Sequence, residues 1–447
     1  MLSGVMRWIR WLPVALGLWF SGCVYFNLMY NAKRYFRMGE TEYRKSHQLT
    51  AQARQYYQRA VEKAAKVVKY HPRSKYVPEA LYIMAVSFSR MDERGKARRK
   101  FEELALYYPE AAKRFKIDLE LGRLALEDGD YSLAREHLSR ALRSGGEQAE
   151  EAAVLLAESY AREGDFTEAL KQYQEFLNQH PESPWRKQAL YEAAEAAFKA
   201  GHYREASEYL TEYLSLYLTS EEEKQAKLLL AEVYLEQGRL AEAEQILNSL
   251  DLPPADQAVQ QREVLRARVL LAQGDTAEAV RTLRNVTQRT RRQEADVEAR
   301  YRLGLVLEAQ DSLEQAYDLY KEASRMSVTT PYRDLARRRM LALSELRSID
   351  STRTALDLYR IAELYLFELQ REPEAVDILK QLLREYPTSE YAPKALYTLV
   401  YLYSQVLPEE DSARKYYARL QRDFAGTLYA QEARQRFAFL ETPKEEP

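Results

Sequence analysis

"ELGRLALEDGDYSLAREHLSRAL", residues 120–142, carries two amphipathic segments and the turn between them. Leu119, Leu121, Leu124 and Leu126 lie before the turn and Leu133, Leu138 and Leu142 after it, at spacings that gather apolar side chains on one face of a helix. Gly122 and Ala134 stand twelve residues apart, one in each predicted helix, and Gly129 lies five residues ahead of Ala134. Glycine at that place can take positive φ and end one helix before the next begins. Two small residues on facing helices allow a close approach that larger side chains forbid.

The arrangement recurs along the chain. Ala85, Gly122, Ala157, Ala194, Ala231, Ala267 and Gly304 are each followed twelve places later by an alanine: Ala97, Ala134, Ala169, Ala206, Ala243, Ala279 and Ala316. Successive members are 35 to 37 residues apart, and the turns "REGDFTEA", "KAGHYREA", "EQGRLAEA" and "AQGDTAEA" keep glycine five places before the alanine. A period of this length predicts helical hairpins that stack to bury a continuous core.

The pattern resembles the tetratricopeptide repeat. Residues 120–142 and "YRLGLVLEAQDSLEQAYDLYKEA" (301–323) match its Leu-Gly, Ala and aromatic positions, and the resemblance covers most of 53–441. It implies an all-α fold, a tetratricopeptide-repeat α-solenoid of stacked antiparallel helical hairpins, with about nine repeats in two modules. Three connections share His/Tyr-Pro, then Ser, an aromatic and Ala-Leu-Tyr: "KYHPRSKYVPEALY" (69–82), "NQHPESPWRKQALY" (178–191) and "REYPTSEYAPKALY" (384–397). These connections resemble those of the BamD-like outer-membrane assembly lipoproteins, whose members are typically shorter than this chain. After Ala316 the next matching alanine is Ala375, 59 residues on, which leaves room for one extra helix at "TPYRDLARRRMLALSELR" (330–347). We therefore expect an array over 53–347, a hinge at 348–352, a second module over 353–441 and a flexible tail at 442–447.

Composition agrees with a helical body. Gly and Pro number only 15 each among 447 residues, and charged residues make up 30%. The 34 tyrosines suit half-exposed positions, with the ring covered and the hydroxyl in water. A formal charge of −2 supplies no field that would draw the chain onto nucleic acid. One cysteine excludes a disulfide scaffold and an all-cysteine zinc site.

That cysteine, Cys23, stands in a telling place. Arg7 and Arg10 precede the wholly apolar "WLPVALGLWF" (11–20), and Ser21-Gly22 put small residues immediately before it, the order of a secretory signal peptide. The segment resembles the lipobox of bacterial lipoproteins, with Phe20 where that family usually has Leu. The resemblance implies cleavage of 1–22, acylation of Cys23, and a membrane-proximal segment over 23–52. Val24 is not the Asp that in this family tends to retain lipoproteins at the inner membrane, so the implied location is the outer membrane, facing the periplasm. The alternative is an uncleaved anchor in the inner membrane, because no charge interrupts residues 11–32.

No catalytic constellation stands out. The five histidines, His47, His71, His137, His180 and His202, form no ligand pair at helical spacing, and HExxH, GxGxxG, P-loop and CxxC motifs are missing from the sequence. "EDGDYS" lacks the ligand spacing of an EF-hand loop and reads as a repeat turn. The arginine-rich stretches 281–292 and 333–339 have acids close by and read as solvated helix faces. We expect no enzyme activity, no cofactor, no metal and no small-molecule substrate.

Binding is the natural use of stacked hairpins, whose first helices line a concave surface. Positions that face the groove in tetratricopeptide proteins are occupied here by Tyr82, Arg123, Glu158, Tyr191, Glu195, Phe198, Glu232, Arg268 and Tyr301. Aromatics alternating with charges suit an extended peptide or a partner helix, although the same aromatics also suit packing within hairpins. The asparagines and lysines of carboxylate-clamp repeats are absent at matching places. The expected partners are envelope proteins or peptide segments, met by a scaffold that a lipid ties to the membrane, with outer-membrane protein assembly as one such role. The alternative is an inner-membrane repeat protein that recruits or regulates an envelope enzyme.

Overall fold

The computed structural model describes residues 12–46, 48–254, 256–289, 293–349 and 353–441, with backbone alone for 12–26, 46 and 147. Much of the expected signal peptide, His47, most of the hinge and the tail 442–447 lie outside the described residues. Among the described residues there are 23 α-helices and no strand. Contacts divide the chain into two compact units, Met1–Gln237 and Gly238–Pro447.

The first unit contains α1 (Leu12–Ser46), α2 (Ala51–Tyr70), α3 (Val77–Arg90), α4 (Arg94–Tyr107), the short α5 (Pro109–Phe115), α6 (Ile117–Glu127) and α7 (Tyr131–Arg143). It continues with α8 (Glu147–Glu163), α9 (Phe166–Gln179), α10 (Arg186–Lys199), α11 (Tyr203–Leu214) and α12 (Ser220–Glu236). The pairs α1/α2, α3/α4, α6/α7, α8/α9 and α10/α11 pack as antiparallel hairpins. The second unit opens on α13 (Leu240–Asn248). The pairs α14 (Ala258–Gln273) with α15 (Thr276–Arg289) and α16 (Glu294–Ala309) with α17 (Leu313–Ser324) follow. The extra helix is α18 (Pro331–Ser348), packed on α17. Two more pairs, α19 (Ala355–Glu363) with α20 (Glu372–Glu385) and α21 (Ala392–Tyr401) with α22 (Glu410–Asp423), precede α23 (Leu428–Arg436).

All fourteen small residues picked out by the period are buried. Four places after each alanine stands a large side chain that is also buried: Phe101, Leu138, Tyr173, Leu210, Leu247, Leu283 and Tyr320. Where the small residue is glycine, the large side chain reaches across to it. A Cβ added at Gly304 would lie 2.5 Å from Tyr320 Cε1, and one added at Gly122 would lie 2.7 Å from Leu138 Cγ. The same contact joins Gly39 to Tyr57, so residues 27–46 of the expected membrane-proximal segment form the first helix of a hairpin.

The turn glycines Gly129, Gly164, Gly201, Gly238 and Gly274 all have positive φ. The conformation outlasts the glycine: Asp92, Asp311 and Gln370, each five places before a buried alanine, have φ of 61°, 58° and 53°. The last two hairpins add one residue to the spacing. In each, a π-helical turn, Leu364–Glu368 or Leu402–Val406, follows the first helix. The closing bonds from Arg371 N to Tyr365 O and from Glu409 N to Tyr403 O span six residues. Their counterpart from Asp130 N to Ala125 O spans five. Ala362 and Ala375 are thus thirteen apart, and both are buried.

The three proline-marked connections are one structure. His71, His180 and Tyr386 each donate their N–H to the carbonyl four residues back, and the serine three residues on (Ser74, Ser183 or Ser389) donates its N–H to theirs. His71 and His180 therefore serve as helix ends. The tyrosines depart from expectation, since Tyr57, Tyr173 and Tyr320 are among the largest fully buried side chains. Each finds a carboxylate for its hydroxyl, which donates to Glu40 at 2.8 Å, Glu192 at 2.7 Å and Glu308 at 2.8 Å respectively. In the 333–339 stretch Arg337 and Arg338 are exposed, while Ala336 is buried in the core and Arg339 pairs with buried Glu308 at 2.7 Å.

Gly304→Ala should lower stability in urea titration by roughly 1–3 kcal/mol, because Tyr320 has no room to retreat. Gly95→Ala, with nothing within 4 Å of the added carbon, should leave the midpoint unchanged or raise it. Gln370→Gly should raise stability by about 0.5–1 kcal/mol, since it relieves a left-handed non-glycine at some cost in chain entropy.

Candidate functional site

On the first-helix face of the first unit, charges brace one helix against the next. Arg90 of α3 lies 3.5 Å from Glu40 of α1 and 3.7 Å from Glu120 of α6, with its guanidinium over the Tyr43 ring. Arg123 of α6 pairs with Glu151 of α8. Both arginines are largely buried, so the pairs act as braces, and removing one partner would strand a charge.

The next cross-helix cation on this side is Lys187 of α10, which pairs with Glu222 of α12 at 2.6 Å, so the ladder has a gap after Glu151 of α8. There the face carries Glu158 on α8 and Tyr191, Glu192, Glu195 and Phe198 on α10, half-buried and spaced to form one stripe. Glu158 pairs with Arg162 of its own helix at 2.5 Å. Glu192 accepts from Tyr173 and from Gln188 at 2.8 Å. Burial pushes the Glu192 and Glu195 carboxyls above the usual carboxylate range, partly offset at Glu195 by Lys199 and reinforced at Glu192 by Glu158 and Glu195. Burial also raises the Tyr191 hydroxyl to about 12. The arrangement is a short acidic and aromatic strip that a cation would relieve.

The remaining groove candidates are differently placed. Tyr82 is stacked on Phe115 with ring centroids 4.6 Å apart, and burial raises its hydroxyl to about 12. Tyr301 is buried between Tyr320 and Tyr332. Tyr191 and Phe198 also touch rings of their own hairpin, Tyr213 and Tyr203. Arg123 sits in its ion pair, while Glu232 and Arg268 are half-buried, one in each unit. Arg268 faces Tyr332, whose ring also lies under Arg302. The structure therefore brings Tyr191, Glu195 and Phe198 together with Glu158 in the first unit. Sequence reasoning missed Glu192, although its position between Gln188 and Glu195 on the same stripe was a usable signal.

In the second unit a recess of about 420 Å³ opens between α13, α14 and α15. Two of its arginines share one acid, since Arg262 and Arg266 both approach Glu263, at 2.9 and 3.2 Å. Among the described residues there is no group of three or more His, Cys, Asp or Glu able to hold a metal ion. Among them, too, no helix is long and apolar enough to cross a membrane. Cys23 lies in α1 where only the backbone is described.

Two family models of the tetratricopeptide repeat match the chain, one at residues 119–184, 191–257 and 264–327 and the other at 79–111 and 358–389. Together they span more than half of its length. No curated protein matches significantly. Among solved structures, a tetratricopeptide repeat protein from Parabacteroides merdae is 18% identical with a TM-score of 0.47, covering 60% of this chain and 98% of that one. The apo form of the quorum sensor NprR from B. thuringiensis is 14% identical with a TM-score of 0.46, covering 76% and 97%.

Because both carboxyls hold their protons more tightly folded than unfolded, their stabilising effect is complete below the unfolded value and is lost as pH rises through the folded one. Glu195→Gln should therefore raise the melting temperature at about pH 8 and leave it unchanged at about pH 4. Equal effects at both pH values would show that Glu195 is not desolvated.

Proposed function

Since the chain is a tetratricopeptide-repeat protein, we propose that it is a non-catalytic scaffold whose first unit holds an extended, basic segment of a partner protein. The acidic strip in the gap of the ion-pair ladder carries this reading. A lysine or arginine laid between Glu158 and Glu195 would add a cation from outside their own helices, and Tyr191 and Phe198 would cover its aliphatic stem or an adjacent apolar residue. Binding would then draw protons off Glu192 and Glu195, so affinity would rise with pH across their titration and fall with salt.

The scaffold works at a bacterial membrane. Cys23 after Ser21-Gly22 supports a lipid anchor in the outer membrane, with the repeats in the periplasm and a partner from an envelope machine such as outer-membrane protein assembly. The uncharged run 11–32 favours a second reading, a signal-anchored inner-membrane protein that recruits or regulates an envelope enzyme.

Mass spectrometry of the mature amino terminus separates the two readings. The lipoprotein reading expects an acylated Cys23 with residues 1–22 removed, and an intact Met1 would defeat it. A photocrosslinker at Tyr191 or Phe198 should capture the partner in cells, whereas one at exposed Gln55 should not. Glu195→Lys should cut that capture by about tenfold or more, as expected for a desolvated charge contact reversed in sign.

A further inference from the structure

The hairpin α1/α2 ends where the apolar amino-terminal sequence begins. Gly39 faces Tyr57, and antiparallel pairing from there puts Tyr70 at the level of residue 26. Met29 and Ala32 are buried against Ala64 and Val67, and Tyr76 packs at the same end. Amino-terminal to residue 27, α1 runs on for fifteen residues, about 22 Å at 1.5 Å per residue, with no charge in its sequence.

The surface around this exit sets exposed rings beside cations. Tyr30 and Tyr70 are 60% and 61% exposed, among the most exposed aromatics in the chain. Lys69 Nζ lies over the Tyr70 ring at 5.3 Å and Lys75 Nζ over the Tyr76 ring at 5.3 Å, while Arg73 is exposed between them. Met29, Tyr30, Lys33 and Tyr76 enclose a mostly apolar recess of about 210 Å³. No acid occurs between residues 12 and 39 or between 69 and 78, and Glu79 is paired with Lys33 at 2.7 Å.

We propose that this end of the first hairpin is a membrane-docking surface, with Tyr30, Tyr70 and Tyr76 at the interface and Lys69, Arg73 and Lys75 on the phosphates of anionic phospholipids. Amphipathic rings beside cations at the point where an apolar helix leaves the fold have the make-up of an interfacial belt. The distances agree. Tyr30 is seven residues, about 10 Å of helix, beyond Cys23, comparable with the depth of a headgroup layer. An acyl group on Cys23 or an uncleaved amino-terminal anchor brings the same surface to the bilayer. The repeats thus stand on the membrane through a continuous helix and are not hung from a loose tether.

The proposal rests on the membrane anchoring proposed above, and the test keeps the two apart. The full chain, produced with its own amino terminus, is reconstituted into vesicles of phosphatidylethanolamine and phosphatidylglycerol, with p-benzoylphenylalanine in place of Tyr70 or of Gln55. Gln55 is an exposed position near the other end of α2. After flotation and irradiation, a phospholipid adduct at 70 and none at 55 is the expected result. Lys69→Glu with Arg73→Glu and Lys75→Glu should still float but give at least about threefold less adduct. A chain that floats yet forms no adduct at 70, or equal adduct at both positions, overturns the docking and leaves the anchor standing. A chain that does not float overturns both.

Discussion

The contact between a residue with little or no side chain on one helix and a large buried ring or Leu on the next sets the spacing of every hairpin that shows it. At Gly304 the Tyr320 ring fills the space that a Cβ would need, and at Gly122 Leu138 does the same. The alanine one turn earlier on the second helix, Ala316 or Ala134, is wholly buried beside it. Helix separation, and with it the stacking of one hairpin on the next, follows from how little fits between them. The turn must then return the chain within a fixed number of residues, which is why a left-handed residue stands five places before the alanine whether or not it is glycine.

The tyrosines show how a large side chain at that same place is accommodated. Leu138 or Leu210 fills the position with carbon alone, but Tyr57, Tyr173, Tyr320 and Tyr417 bring a hydroxyl into a dry seam. A buried hydroxyl without a partner is costly. Each of the four has a carboxylate within hydrogen-bonding distance, and burial beside that acceptor pushes the hydroxyl well above its ordinary range. At Glu308 the arrangement extends to Arg339 of α18, so the extra helix is fastened by an ion pair reaching the core of the preceding hairpin.

Much of this was legible in the sequence because it depends on local spacing. The twelve-residue interval, the turn glycines and the proline-marked connections each report a conformation formed within one hairpin. What escaped was of two kinds. Substitutions hid conserved geometry: Asp92, Asp311 and Gln370 occupy a glycine's conformation, and the π-helical turns shift the interval by one residue. Long-range pairing hid the rest, since Tyr57 finds its acid 17 residues back and Tyr173 finds its own 19 residues on. No fixed offset predicts such partners. The first hairpin was masked by its own composition, because Met29 and Ala32 follow directly on the uncharged stretch 11–28.

Electrostatic bracing also decides where a partner can add anything. A face whose arginines already bridge neighbouring helices, as Arg90 and Arg123 do, offers a ligand little, because displacing a brace would strand a buried charge. A face that gathers Glu158, Glu192 and Glu195 with no cation from the neighbouring helix is in the opposite state. The Glu192 and Glu195 carboxyls are held above their ordinary range by burial, and an incoming positive group would restore them to it. The boundary between the two states falls within α8, where Glu151 faces back to Arg123 and Glu158, two turns on, faces the strip. One helix thus belongs at one end to the scaffold's own support and at the other to the surface proposed for its partner.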